Sequence, residues 1–171
     1  MGYAVVGGDK IVAGSRQIQG NSTTMGHSGR QCGEIIRGLI CDHGAIDCMT
    51  FAKPHVAMVR RYDVKQRKFF IQPIAPENIR PLMGFTTIIE MIADELRIRC
   101  IEVEESSARA DFLEVVPRKS KDIKSAVVQA CRDRGWPCPD NHTADALCVG
   151  TFVLNKLDPS RAHERTPLFM R

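Results

Sequence analysis

No C-x-x-C pair occurs among the seven cysteines (32, 41, 48, 100, 131, 138 and 148), and their number is odd with irregular spacing. That argues against a disulfide framework and against a structural zinc site. Reduced, mostly buried thiols of a cytoplasmic protein are the expectation. No apolar run approaches the length of a membrane span. The start, "MGYAVVGGDK", lacks the basic region and long apolar segment of a secretion signal. No internal repeat is present. Apolar residues make up 43% of the 171, enough for a real core in one domain. A charged fraction of 26% excludes both a disordered chain and a membrane-embedded one.

The formal net charge is +4, which permits nucleic-acid binding without requiring it. Its distribution says more. Lys and Arg crowd into "RRYDVKQRK" (60–68) and "RKSKDIK" (118–124). Runs of this kind are more often solvated faces than nucleic-acid contacts.

Pattern and punctuation give an outline. Residues 3–6 and 11–19 read as two strands joined at "GGD". Residues 20–29, rich in Gly, Ser and Thr, read as an exposed loop. A helix over 30–41 places Cys32, Ile35, Ile36 and Leu39 on one stripe. "AIDCMTFA" (45–52) reads as a strand, and short strands are expected near 55–60 and 68–72. "PLMGFTTIIEMIADEL" (81–96) is a helix apolar around most of its circumference, so it is buried on more than one side. Residues 98–105 alternate as a strand. Residues 120–134 form an amphipathic helix, capped by Ser120 and ended by Gly135. A last helix runs from about His142 to Leu157, capped by Asp140 or Asn141. The polar, basic stretch 158–171 is expected to be a mobile tail. Strands first, then strands alternating with helices, describe an α/β domain over 1–157 with a mixed sheet.

The chemistry concentrates at "NHTADAL" (141–147). His142 and Asp145, three apart, project together from the first turn of a helix. An imidazole nitrogen and a carboxylate oxygen can serve one divalent cation. Equally, an acid in a first turn favourably meets the helix dipole, and a neighbouring His can simply be exposed.

The run "HTADALCVGTFVL" resembles the final helix of RuvC-type Holliday-junction resolvases, in the RNase H-like superfamily. There an acid, or a His in some members, precedes the last catalytic Asp by three residues. That Asp stands in an A-D-A-L setting, as Ala144-Asp145-Ala146-Leu147 does here. "GYAVVGGDKIVAGSRQI" resembles the hairpin after the first catalytic strand. "IDCMTFAKP" resembles the strand carrying the second carboxylate. Helix 81–96 stands where the family has its dimer helix. "KDIKSAVVQACRDRGW", with Lys124-x-x-Val127, resembles the family's basic helix. The likeness covers about residues 2–157 and is sharpest at "RGWxxxDN…ADAL".

The resemblance implies an RNase H-like mixed sheet flanked by helices. It also implies hydrolysis of branched DNA by two Mg²⁺ (or Mn²⁺) ions held by four protein groups, with His142 and Asp145 as two of them. The resemblance places the family's first Asp before Met1, on a central strand missing from this chain. The second carboxylate, in a setting like F-E-x-P, is vacated: the sequence reads Phe51-Ala52-Lys53-Pro54. Asp47, Asp9, Glu77 and Glu90 are unconvincing replacements. An impaired endonuclease is the expectation, with an inactive branched-DNA-binding module and an unrelated α/β interaction protein as the alternatives. Lys53, Arg118, Lys119, Lys121 and Lys124 would line the DNA backbone, and helix 81–96 would join a homodimer. The cytoplasm of a bacterial or phage-infected cell is the implied location.

Overall fold

The computed structural model describes residues 1–7, 10–18, 24–54, 58–63, 65–73, 76–113 and 115–159. Asp9 and the tail beyond residue 159 lie outside them. The chain is α/β. It opens with strands β1 (Gly2–Gly7) and β2 (Lys10–Ser15), followed by helix α1 (Met25–His43) and strand β3 (Cys48–Ala52). Strands β4 (Met58–Asp63) and β5 (Lys68–Pro73) lead to helix α2 (Pro76–Glu95) and strand β6 (Arg99–Val103). Helices α3 (Glu105–Phe112), α4 (Ser120–Asp133) and α5 (Asn141–Leu157) complete it.

The expected mixed sheet takes the form of separate two-stranded ladders. β1 pairs antiparallel with β2, β3 parallel with β6, and β4 antiparallel with β5. Helix α5 packs on β1, β2, β3 and β6, and also on α3 and α4. Helices α1 and α2 pack together, and α2 lies against β3 and β6. Alternation along β3 shows the layering. Cys48 joins the core of α3, α4 and α5, while its neighbour Met49 joins the cluster of Cys32, Ile36 and Ile92. Successive strand residues point to opposite faces, so β3 is covered on both. Among the described residues, no helix is long and apolar enough to cross a membrane.

Local chemistry sets the helix ends. Helix α1 starts five residues earlier than the composition of 20–29 suggests. Thr24 caps it, its Oγ1 accepting from the His27 N–H at 3.3 Å, and Ser28 and Gly29 are buried. A polar, glycine-rich stretch was a helix start because its Thr supplied a cap acceptor. Helix α2 begins at Pro76, so Pro81 stands within it rather than at its head. It closes through Arg97, at φ 56°, with the Ile98 N–H bonded to the Ala93 carbonyl at 2.8 Å. Helix α4 is preceded by Lys119, which makes no side-chain cap; Ser120 is already helical. Gly135, at φ 70°, ends it as expected. The Trp136 N–H bonds the Cys131 carbonyl at 3.0 Å and the Gly135 N–H bonds Arg132 at 2.8 Å. That pair of bonds satisfies carbonyls a helix end would otherwise leave open. Arg134 then reaches back, stacking over the Phe112 ring at 4.3 Å and donating to the Phe112 carbonyl at 3.2 Å. The "RGW" triplet therefore ties the end of α4 to the end of α3.

One contact fixes how β1 meets α5. A Cβ added at Gly2 would lie 1.9 Å from the His142 carbonyl oxygen. Only glycine permits this approach of two backbones. Gly2→Ala should destabilise the fold by about 2 kcal/mol, the usual scale of overpacking. A lowered Tm with loss of amide-exchange protection in the first turn of α5 is the expected result.

Candidate functional site

Helix α5 carries both candidate ligands in its first turns. Asp140 caps it: Oδ1 accepts from the Thr143 N–H at 2.7 Å and from the Thr143 hydroxyl at 2.8 Å. The Ser15 hydroxyl donates to the other oxygen, Oδ2, at 2.5 Å. These donors, Ser15 first, lower the Asp140 carboxyl to about 2 from 3.8. One acid thus starts the helix and fastens it to the end of β2. His142 follows, exposed, with its backbone against Gly2.

Asp145 is half-buried and already engaged. Its Oδ1 accepts from Arg109 Nη2 at 2.9 Å, and the same nitrogen donates to Glu105 Oε1 at 2.5 Å. Glu105 and Arg109 are four apart on α3, acid before base, the favourable order for a helical ion pair. The Arg109 side chain is only 16% exposed. A guanidinium shared by two carboxylates in such surroundings is a charge-assisted pair of real strength. It places a fixed cation on one of the two oxygens that a metal could use.

Ala52 ends β3, exposed, opposite Val103 of β6. The residue after each strand end continues the polar row. Lys53 donates its backbone N–H to the Val103 carbonyl at 2.8 Å, and its ammonium pairs with Glu104 at 2.7 Å. Glu104 and Glu105 open α3, where acids meet the positive end of the helix. A connected row results: Lys53 to Glu104, then Glu105 to Arg109 to Asp145. Asp47 lies just before β3 and Glu90 on α2; both are exposed.

The basic residues expected on DNA fall in two places. Lys53 belongs to the row. Arg118 and Lys119 precede α4, and Lys121 and Lys124 stand exposed on its first turns, while Val127 and Cys131 are buried. Among the described residues, no three His, Cys, Asp or Glu side chains gather where they could hold a metal ion.

No family model, curated protein or solved structure matches the chain.

Arg109 and Glu105 escaped the sequence reading. The acid-to-base spacing of four in "ESSAR" was the available signal, but the eight-residue helix that displays it was not foreseen. Two outcomes follow from this geometry. Arg109→Ala should cost about 2–3 kcal/mol, because it strands two carboxylates rather than merely removing a contact. Chemical denaturation of the variant and of Arg109→Ala/Asp145→Asn should show partial recovery in the double variant. Asp140 binds a proton less readily in the folded chain than in the unfolded one. Its contribution to stability is therefore present above about pH 4 and lost as pH falls toward 2. Asp140→Asn should flatten that part of the pH–stability curve and leave the slope above pH 5 unchanged.

Proposed function

We propose that the chain is a RuvC-like domain of the RNase H-like type that recognises branched DNA, and that hydrolysis is impaired in it. The observation that carries the reading is the placement of the His142-x-x-Asp145 turn. It stands on a helix laid across an antiparallel pair (β1–β2) and a parallel pair (β3–β6), with the apolar helix α2 between β3 and β6 in the chain. The order of elements is that of the resemblance.

Two Mg²⁺ or Mn²⁺ ions are what the resemblance requires, and the side chains present do not fit them. Mg²⁺ demands an octahedral shell of oxygens and keeps several waters. Asp145 is bonded to Arg109, Ala52 has no donor atom, and His142 offers nitrogen. We therefore assign no hydrolytic step to metal ions in this chain. Its own residues bind instead. Lys121 and Lys124, with Arg118 and Lys119 before them, would meet backbone phosphates, and the start of α4 adds its dipole. Lys53 would have to leave Glu104 to join them. A junction with near-twofold symmetry suits a homodimer. Leu82, Met83 and Met91 leave part of α2 apolar and exposed, which supports that helix as the dimer surface.

The Arg109–Asp145 pair favours a second reading, a binding module with no hydrolysis at all. One experiment separates the two. Binding and cutting of a labelled four-way junction are measured with Mg²⁺ and with Mn²⁺, for the parent and for Ala52→Glu. Binding that weakens at least tenfold between about 50 and 200 mM salt is expected for several phosphate contacts. Recovery of metal-dependent cutting in Ala52→Glu assigns the endonuclease; tight binding without cutting assigns the module. Failure to bind any junction at low salt overturns both, and efficient cutting by the parent overturns the impairment.

A further inference from the structure

The basic run 60–68 takes no part in the row around Asp145, and the fold gives it a definite form. β4 and β5 pair from Met58↔Pro73 to Asp63↔Lys68, and Lys65, Gln66 and Arg67 stand in the turn between them, the tip of a hairpin. Lys65, Gln66, Arg67, Lys68 and Phe69 are all exposed. Three of these five are cations and none is an acid. The Phe69 ring, 59% exposed, sits where the tip meets β5.

Arg67 adds a second observation. Its φ of 49° lies in the left-handed region, where glycine or asparagine is the comfortable residue. A side chain there costs about 1 kcal/mol. Glycine would make the same turn without the charge. The other arginine at positive φ, Arg97, is held by the hydrogen bonds that close α2; Arg67 sits in an exposed turn. Backbone discomfort retained at an exposed tip points to use of the side chain.

We propose that this tip is a nucleic-acid contact for unpaired strands. Lys65, Arg67 and Lys68 meet successive phosphates, and the Phe69 ring stacks on a base. Positive charge beside an exposed aromatic ring is the combination single strands require, since every base has a stacking face. An anionic membrane is the poorer fit. Surface insertion uses a broad apolar face on an amphipathic helix, and a hairpin tip with one ring offers none. The proposal deepens the branched-DNA reading and rests on it for the presence of nucleic acid, but not for hydrolysis.

The test uses the full chain and a fluorescein-labelled oligonucleotide of about 15 thymidines, a length within the usual site sizes, read by anisotropy across salt. Lys65→Gln/Arg67→Gln/Lys68→Gln should lower affinity at least tenfold. The slope of log K against log salt should fall by about 2, three phosphates at about 0.7 each. Phe69→Ala should weaken binding about tenfold with the slope unchanged, and should leave blunt-duplex binding as it was. Arg67→Gly guards against misfolding: its Tm should hold or rise while affinity drops several-fold. Three results overturn the proposal: no binding by the parent at about 50 mM salt, variants indistinguishable from the parent, or a preference for phosphatidylserine vesicles over the oligonucleotide. Junction binding that ignores the tip variants removes this proposal and leaves the branched-DNA reading standing. Tip-dependent binding with no cutting under any metal does the reverse to the endonuclease.

Discussion

Helix α5 is the part on which the rest of the structure depends, because among the described residues hydrogen bonds do not join the strands into one sheet. β1 is bonded to β2 and β3 to β6, but each ladder is two strands wide. A pair of strands is marginal by itself in water. What places the two ladders relative to one another is side-chain packing under α5. Ala144, Leu147, Cys148, Val149 and Val153 share one core with Ala4, Ile11 and Ala13 of the first ladder and Cys48, Ile101 and Val103 of the second. Full burial of a side chain such as Leu147 contributes about 1.5–3 kcal/mol. A handful of such residues does here what backbone bonds do in a wide sheet.

That demand explains why the polar residues of α5 are so fully employed. Asp140 starts the helix and ties it to Ser15. The backbone of His142 accepts the close approach of Gly2. Asp145 binds α3 through Arg109, and the Asn155 amide reaches Asp111 of the same helix at 3.4 Å. The helix-to-helix seam is not an efficient one. Arg109 Nε and Asn155 Oδ1 are buried without a hydrogen-bond partner. Replacing such a seam with apolar residues of similar size is often neutral or stabilising. Charge and polarity between α3 and α5 therefore contribute less to stability than the apolar core does, and more to fixing where Asp145 points.

Much of this was legible in the sequence, for identifiable reasons. The strands of β1 and β6 and the amphipathic face of α4 follow from period. The end of α4 follows from Gly135, the one residue there at ease at positive φ. Ala52 was correctly placed at the end of a strand, since the apolar run stops at Lys53-Pro54. Other features needed the third dimension. Residues 24–29 look like a loop by composition, yet Thr24 is a cap and Ser28 and Gly29 are interior. Helix α3 is too short for periodicity to announce, with only Ala108 and Phe112 buried. Missing α3 meant missing Arg109, so Asp145 looked free when it is paired. A pair of residues 36 apart in the chain leaves no local trace.

Under the branched-DNA proposal, the balance of charge bears on whether the chain would cut or only hold. A two-metal site works by gathering negative charge that the protein leaves uncompensated, so that cations are drawn in and their bound water is activated. The row here is composed differently. Glu104, Glu105 and Asp145 stand against Lys53 and Arg109, each acid within bonding reach of a cation from the same chain. An Mg²⁺ taking Asp145 Oδ1 would have to displace Arg109 from a largely buried position, leaving a guanidinium to be resolvated while the ion loses part of its own water shell. Both steps are unfavourable. Meanwhile exposed positive charge lies elsewhere, before and on the first turns of α4 and at the tip of the β4–β5 hairpin. Carboxylates neutralised from within and cations turned outward suit a surface that grips phosphates better than one that breaks them.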